Sequence, residues 1–227
     1  MHKIISFIIL SFSSIFFTNA LHADCYRSVS KTPEMISGLE KYVESGQYIK
    51  EIETKVLQAK DYLDGRLKNK GNQQFAIVLD VDETALSNYR TLKQHHFSTN
   101  REAFVASYLF GTQEAIGPVL GLFHYAKQRG IQIFFITDRP NTPEVIAHTI
   151  RNLKQVGFDG WKEIYLLPLS HESVKIAEFK KQSRQKITDL GYTILLNIGD
   201  QSDDVVGGLA EISIQLPNPF YTHTISG

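Results

Sequence analysis

FAIVLDVDET, residues 75–84, is the stretch that decides the fold of this chain. It opens on a run of apolar residues, and an unbroken run of this kind is typical of a strand buried on both faces in a parallel sheet. Such sheets bind ligands just beyond the carboxyl ends of their strands, which is where Asp80 and Asp82 follow. The stretch therefore predicts a central strand that delivers two carboxylates into one crevice.

Two carboxylates this close together resist full ionisation unless a cation compensates their charge. Mg²⁺ is the natural cation, because it prefers hard oxygen ligands and usually keeps several waters. A carboxylate can also attack phosphorus to form an aspartyl-phosphate, while a second carboxylate protonates the leaving alkoxide and later activates water. An isolated Asp-x-Asp is more often an acidic turn after a strand, so this interpretation depends on the rest of the chain.

Further apolar runs predict the remaining strands of the sheet. They cover residues 131–136, 164–167, 193–198 and 211–216. The first of these runs into Thr137, whose hydroxyl can donate to a phosphate oxygen, and the third runs into Gly199 and Asp200. Apolar strands that alternate with helices predict an α/β fold, a three-layer α/β/α sandwich around a central parallel, Rossmann-like sheet with right-handed crossovers.

Helical spacing of apolar residues predicts helices on both sides of the first strand. The first predicted helix begins at Thr32-Pro33 and ends at Gly46. The others cover residues 48–67, 101–110, 118–128, 143–156 and 172–190. The first two precede the central strand, so they must pack on the outside of the sheet domain or over its mouth. A structural role for them is favoured over direct contact with a substrate.

A small cap-like insertion is predicted after the first strand, over residues 86–120. It leaves from the end of that strand, so it should line or cover the crevice. Its first part, residues 86–99, has no clean period and is predicted to be loop with short helical pieces. Aromatic residues there fit either stacking on a nucleobase or aryl group, or a small core of the loop. The predicted division of the chain is a leader with helices, 24–72, and a sheet domain, 73–221.

Charge and the N-terminus bear on location and partners. The chain has 24 basic and 24 acidic residues, so it offers no broad basic field for a nucleic-acid polymer or for a charged membrane surface. Residues 1–23 read as a signal peptide, cleaved after Ala20 or Ala23, and too short and serine-rich for a stable membrane span. We therefore expect a secreted or periplasmic protein. Lipid anchoring at Cys25, the single cysteine, is less favoured than a free thiol, because Asp24 does not fit a lipidation motif.

Four motifs in this order carry a resemblance to a known family: Asp-x-Asp-x-Thr at 80–84, apolar-Thr-Asp at 136–138, a helix lysine, and Gly-Asp-x-x-x-Asp at 199–204. The arrangement resembles the haloacid-dehalogenase-like superfamily, and more closely its acid phosphatase branch, which contains bacterial class C acid phosphatases and plant vegetative storage proteins. The narrower resemblance rests on residues 80–88, 152–161 and 191–219, and the whole covers roughly residues 33–221.

The resemblance implies roles for the residues at the first two strand ends. Asp80 resembles the family's nucleophile and is also a metal ligand, while Asp82 resembles the general acid/base and offers its backbone carbonyl to the metal. Thr137 corresponds to the residue that holds the phosphoryl group. Asp138 stands where the family more often has a small or amide residue, and it is placed with Thr137 in the phosphate-binding set.

The remaining family roles fall near the C-terminus. The family's phosphate-binding lysine lies in a Tyr-Lys-Ser-x-x-Arg stretch, which corresponds to Lys180 here, with the adjacent Lys181 as the alternative. Asp200 and Asp204 correspond to ligands of Mg²⁺, with Asp203 as an alternative to the latter.

The function implied by the resemblance is a Mg²⁺-dependent acid phosphatase that hydrolyses small phosphate monoesters, 5′-nucleotides among the candidates, through an aspartyl-phosphate. The alternative is a non-catalytic storage or surface-binding protein on the same scaffold, although such relatives can lose the nucleophile that this chain retains. Halide–carbon hydrolysis needs neither Mg²⁺ nor an acid at the second position, so Asp82 and Asp200 count against it. The natural substrate and the oligomeric state are left open by the sequence.

Overall fold

The structure is a computed structural model that describes residues 31–68, 71–98, 101–110, 113–169 and 175–222. The predicted signal peptide and Cys25 lie outside the described residues. The helices are α1 Pro33–Glu44, α2 Gln47–Leu67, α3 Tyr89–Gln94, α4 Arg101–Phe110, α5 Gly117–Gln128, α6 Pro143–Gln155, α7 Ile176–Asp189 and α8 Ser202–Val205. The strands are β1 Gln74–Leu79, β2 Leu86–Ser87, β3 Glu114–Ala115, β4 Gln132–Pro140, β5 Glu163–Leu167, β6 Tyr192–Gly199 and β7 Ala210–Gln215.

The main sheet has the strand order β5-β4-β1-β6-β7, and each neighbouring pair is parallel. The strand predicted to be central, β1, lies in the middle, and every residue after Gln74 is buried. This confirms the predicted α/β fold with a central parallel sheet. Since the strands are parallel, the residues that follow their carboxyl ends share one edge of the sheet.

Alternate residues of β1 pack into two separate apolar clusters on opposite faces of the sheet. Phe75, Ile77 and Leu79 face a large cluster that includes the apolar stripe of α2 and the buried face of α5. Ala76 and Val78 face a smaller cluster that includes residues of α7. Both faces are thus covered by helices, which explains why the strand reads as an unbroken apolar run.

Of the two N-terminal helices, α2 is part of the core, whereas α1 has no buried residue and packs against it. Thr32 caps α1 through its side chain, which accepts from the backbone N–H of Met35 at 3.3 Å, and Gly46 separates the helices with φ +81°. Ile52 and Leu63 of α2 are fully buried in the larger cluster. Their packing gives α2 a structural role, and the preference for such a role over contact with a substrate stays a prediction. No helix in the described parts of the chain is long and apolar enough to cross a membrane.

The insertion after β1 contains more regular structure than predicted. β2 and β3 form a two-stranded antiparallel ribbon, with Leu86 opposite Ala115 and Ser87 opposite Glu114, and the helices α3 and α4 lie between them. Strands of two residues are too short to produce an alternating pattern, so the sequence did not indicate the ribbon. The ribbon brings the two ends of the insertion together beside the end of β1.

Two predicted boundaries differ from the structure by more than two residues. β4 does not end at residue 136 but continues to Pro140, with a register shift against β5 between Thr137 and Pro140. The continuation is polar, so an apolar run could not reveal it. The basic helix α7 begins at Ile176, and the predicted residues 172–174 lie outside the described residues.

Candidate active site

Three buried aspartates meet at the carboxyl end of β1 and β6. One carboxylate oxygen from each of Asp80, Asp200 and Asp204 lies within 4.8 Å of the others, and we call these three residues the acid cluster. Asp80 follows β1 and Asp200 follows β6, its neighbour in the sheet. The backbone N–H of Asp80 donates to the carbonyl of Ile198 at 2.9 Å, which continues the ladder between the strands and fixes the two loops side by side.

Asp204 reaches the cluster because the chain turns tightly after β6. The backbone N–H of Gln201 donates to its carboxylate at 2.7 Å, and the Asn197 side chain donates to its carbonyl at 2.8 Å. A Cβ at Gly199 would lie 2.3 Å from the Asp204 side chain, so only glycine allows the carboxylate to fold back this closely. The Gly-Asp-x-x-x-Asp spacing thus has a local geometric reason.

Asp200 accepts hydrogen bonds from two polar side chains that are far apart in the sequence. Its carboxylate accepts from Thr84 at 3.2 Å and from the Asn218 amide at 2.7 Å. Thr84 is the last residue of the Asp-x-Asp-x-Thr motif, so this motif after β1 also helps to position Asp200, the acid that follows the neighbouring strand β6. Asn218 lies between two prolines in the C-terminal segment, and its contact with Asp200 was not foreseen from the sequence.

Lys180 reaches the site from α7, the helix that packs on the face of the sheet with the smaller apolar cluster. The side chain is 2% exposed, and its Nζ lies 3.0 Å from Oδ1 of Asp80 and forms an ion pair with Asp204. The side chain of the adjacent Lys181 is exposed. The geometry thus places the first of the two candidate lysines, and not the second, beside the acid cluster.

The electrostatics of the acid cluster fit a divalent cation. Three carboxylates face the single ammonium of Lys180, so full ionisation leaves an excess of buried negative charge. Burial raises the pKa of Asp80 well above its ordinary value, and the charges of Asp204 and Asp200 raise it further, although Lys180 opposes them. A divalent cation would relieve this repulsion, and hard carboxylate oxygens are the donors that Mg²⁺ prefers.

Asp82 lies apart from the acid cluster in a set of hydrogen bonds of its own. Its Oδ1 accepts from Asn88 at 2.8 Å and from Gln113 at 3.1 Å. Arg139 donates to both oxygens, from Nη2 to Oδ1 at 2.7 Å and from Nε to Oδ2 at 2.7 Å. Burial alone would raise the pKa of Asp82, but the charge and hydrogen bonds of Arg139, helped by Asn88 and Gln113, hold it below its ordinary value.

The partners of Asp82 were missed from the sequence. Arg139 stands two residues after Thr137 in β4, a spacing that puts both on one face of an extended strand, and this was the available signal. Asn88 and Gln113 belong to the insertion, whose sequence has no period, so nothing indicated that they would lie near Asp82. All three are buried.

Thr137 and Asp138 lie on the strand next to β1. Thr137 is fully buried, two residues past Phe135, which is paired with Leu79. Its hydroxyl accepts from the backbone N–H of Arg139 at 3.3 Å. Asp138 is partly exposed, and its negative charge acts on the pKa of both Asp80 and Lys180.

Glu83 is a further buried carboxyl group that sequence reasoning did not assign. It accepts from the backbone N–H of Asn88 at 2.6 Å and from the Tyr221 hydroxyl, which ties the loop after β1 to the C-terminal segment. Burial raises its pKa to about 8, with the charges of Asp82 and Asp200 adding to the effect. Its φ of +50° shows that the loop turns sharply here.

A cavity of about 1030 Å³ lies between the N-terminal helices and the insertion. Its lining includes Tyr48, Tyr89 and Gln113, and the last of these connects it with Asp82. The aromatic residues of the insertion differ in burial, and stacking on a nucleobase or aryl group stays a prediction. Phe97 is fully buried and stacks on Phe220, as a core residue does, whereas Tyr89 is half-buried and faces the cavity.

Comparison with known proteins identifies the family of the chain. The family model described as HAD superfamily, subfamily IIIB (acid phosphatase), matches residues 27–224. Acid phosphatase 1 of Solanum lycopersicum is 28% identical over 151 residues, which are 63% of this chain and 57% of that protein. Vegetative storage protein 1 of Arabidopsis thaliana is 30% identical over 148 residues, 63% of this chain and 54% of that protein. The chain thus spans little more than half the length of these relatives.

A solved structure shows the same fold. The class C acid phosphatase from Bacillus anthracis with tungstate bound has a TM-score of 0.69 and 21% sequence identity, over 86% of this chain and 87% of that one. The match of the family model to most of the chain, and the agreement of fold, confirm the resemblance stated from the motifs. The chain therefore belongs to the acid phosphatase subfamily IIIB of the HAD superfamily.

Proposed function

We propose that this protein is a secreted or periplasmic Mg²⁺-dependent phosphomonoesterase that works through an aspartyl-phosphate on Asp80. The single observation that carries the proposal is the acid cluster with Lys180 at its side, because it combines a nucleophile, three metal donors and a cation for phosphate in one buried place. Membership of the acid phosphatase subfamily supports the reaction class. The signal peptide expected over residues 1–23 supports export.

The acid cluster and the backbone carbonyl of Asp82 would hold the metal. When bound, the cation neutralises the charges on Asp80 and on the substrate phosphate, which otherwise repel each other. Lys180 and the hydroxyl of Thr137 would hold the phosphoryl oxygens, and Asp138 lies beside them. Positioning and charge stabilisation of this kind supply most of the rate in phosphoryl transfer.

The chemistry follows in two steps. An oxygen of Asp80 bonds to phosphorus while the bond from phosphorus to the ester oxygen breaks, and its electron pair stays on that oxygen. The leaving oxygen takes a proton from Asp82 and departs as the alcohol, so that Asp82 becomes a carboxylate. In the second step Asp82 takes a proton from water as the water oxygen bonds to phosphorus. The bond from phosphorus to Asp80 then breaks and releases inorganic phosphate.

The hydrogen bonds of Asp82 support an acid optimum. Arg139 holds the pKa of Asp82 below its ordinary value, so the protonated form that the first step needs accumulates only at low pH. The rate of ester cleavage should therefore rise as the pH falls, until the protein loses stability.

The cavity beside Gln113 supports a small monoester with an aromatic or nucleoside leaving group, and 5′-nucleotides are the leading candidates. Tyr89, which is half-buried, offers aromatic surface in its wall. Two cations in the lining are already paired, Arg90 with Glu114 at 2.6 Å and Lys93 with Glu44. Because carboxylates already compensate these positive charges, they do not favour binding of a second phosphate or of a nucleic-acid backbone there.

The proposal is tested with p-nitrophenyl phosphate and a panel of nucleoside monophosphates, each with Mg²⁺ and with EDTA. We expect turnover that EDTA abolishes and Mg²⁺ restores. Asp80→Asn should remove activity, because an amide does not attack phosphorus, while the protein remains folded. Folded wild-type protein that turns over none of these esters in Mg²⁺ would overturn the proposal.

A second candidate is a storage protein on the same scaffold, which the similarity to a vegetative storage protein favours. It predicts turnover no faster than that of Asp80→Asn. The intact acid cluster argues against it, because a storage role gives no reason to keep three buried carboxylates together.

A further inference from the structure

Gln113 stands at the end of the insertion, directly before β3, and is 5% exposed. Its side-chain amide contacts Asp82 and both of the other side chains that bind Asp82. Nε2 donates to Oδ1 of Asp82 at 3.1 Å and to Oδ1 of Asn88 at 2.6 Å, and Oε1 accepts from Nη2 of Arg139 at 2.8 Å. The amide therefore links the three residues into one buried network.

The backbone of Gln113 is fixed by the core and not only by the insertion. Its N–H donates to the Asn152 side chain at 3.1 Å, and the amide of Asn152 donates back to the Gln113 carbonyl at 3.1 Å. Asn152 is a buried residue of α6, the helix that follows the strand carrying Thr137 and Arg139. The helix α6 thus fixes the position of the Gln113 backbone, from which the side-chain amide reaches Asp82.

The network treats the two oxygens of Asp82 differently. Oδ1 accepts from Asn88, Gln113 and Arg139. Among the described residues, Oδ2 accepts from a single donor, Nε of Arg139. A carboxylate oxygen has about two lone pairs, so three donors saturate Oδ1, whereas Oδ2 keeps a position for a proton.

We propose that Gln113 is a positioning residue for the proton-transfer steps: through its bonds to Asp82, Asn88 and Arg139 it holds the carboxyl group of Asp82 in one orientation, with Oδ2 as the oxygen that gives up the proton. This rests on the phosphomonoesterase function proposed above. In the first step the proton moves from Oδ2 to the ester oxygen, which holds the electron pair of the broken bond to phosphorus. Without Gln113 the Asp82 carboxyl group loses one of its donors and Arg139 loses an acceptor, so the carboxyl group can turn away from the leaving group.

The role predicts a loss that depends on the leaving group. An alkoxide of a weakly acidic alcohol needs a proton as it departs, whereas the phenolate of 2,4-dinitrophenol hardly does. Gln113→Met keeps the length of the side chain and removes its hydrogen bonds. We expect kcat/KM to fall about 10- to 100-fold for an alkyl phosphate, which is the effect of one hydrogen bond to a charged group, and to stay within about threefold for 2,4-dinitrophenyl phosphate.

The quantity kcat/KM is the correct one to measure, because it reports the steps up to release of the alcohol and not the later hydrolysis of the aspartyl-phosphate. Gln155→Met makes the same chemical change on the exposed surface of α6 and should leave both substrates unaffected. Gln113→Asn keeps an amide in the network but is too short to reach all its partners. It should show the same selective loss if the methionine variant does not fold.

The outcomes separate the two proposals. A selective loss for the alkyl ester supports the positioning role. Equal losses for both esters, no loss, or failure of both Gln113 variants to fold would overturn it and leave Gln113 a structural residue, with the phosphatase proposal intact. Wild-type protein without turnover of either ester would instead overturn the proposed function itself.

Discussion

Replacing Arg139 with methionine should destabilise the protein by an amount that depends on pH. The guanidinium is fully enclosed and makes two 2.7 Å contacts with Asp82, and it also contacts Thr149 at 3.0 Å and Gln113 at 2.8 Å. The variant leaves the Asp82 carboxylate buried without its cation. Breaking a buried ion pair in this way costs about 3–5 kcal/mol, so we expect the free energy of unfolding at about pH 7 to fall by that amount.

The direction of the pH effect follows from the pKa of Asp82. In the wild type this pKa is lowered, so the pair contributes stability above the ordinary carboxyl pKa of 3.8 and loses it as the pH falls through the lower folded value. In the variant, burial without Arg139 raises the pKa above that of the unfolded chain, so stability is instead lost as the pH rises. The difference in the free energy of unfolding between wild type and variant should therefore be smaller at about pH 4.5 than at about pH 7.

Urea unfolding of metal-free protein at these two pH values measures the effect. Arg151→Met is the matched control, since this exposed arginine should change the free energy of unfolding by no more than about 0.5 kcal/mol. A loss below about 1 kcal/mol at neutral pH, or a deficit that grows on acidification, would show that Asp82 is not held ionised by Arg139.

Three further predictions concern single residues. Lys180→Met should lower kcat/KM by at least about 100-fold, because it removes a buried charge from the proposed phosphate site, whereas the exposed Lys181→Met should stay within about twofold; equal effects would place the phosphate elsewhere. Gly199→Ala should displace a carboxylate of the acid cluster, because its Cβ would lie 2.3 Å from that side chain, and weaken Mg²⁺ activation at least about tenfold. Gly65→Ala, in α2 with open space around it, should stabilise the protein slightly, by about 0.5–1 kcal/mol, and leave activity unchanged. Glu83 has a pKa raised to about 8, so the metal-free protein should lose stability as the pH rises from about 4.5 to about 8, and Glu83→Gln should flatten that loss in urea unfolding; an unchanged slope would show that Glu83 is not protonated in the fold.

Asp80 and Asp200 of the acid cluster could be foreseen because they follow strands that an apolar run reveals, whereas Asp204, in α8, was assigned from the family resemblance. The runs before Asp80 and Asp200 are long enough to predict buried parallel strands, and parallel strands bring their carboxyl ends to one edge. Family resemblance supplied the lysine, and the burial of Lys180 against the exposure of Lys181 separates two neighbours that the sequence could not.

The surroundings of Asp82 could not be foreseen in the same way. Asn88 and Gln113 are brought to it by a ribbon of two-residue strands, which leaves no periodic pattern in the sequence. Arg139 was hidden by the polar continuation of β4 beyond its apolar run. These contacts depend on how the insertion closes, which is a matter of tertiary packing and not of local propensity.

The central claim is that the acid cluster binds one divalent cation beside a reactive Asp80. Calorimetric titration of Mg²⁺ into metal-free wild-type protein and into Asp200→Asn, both shown to be folded, tests it most directly. The account predicts binding of one ion to the wild type and loss of that binding in the variant. Absence of binding to the folded wild type, or equal binding to both proteins, would contradict it.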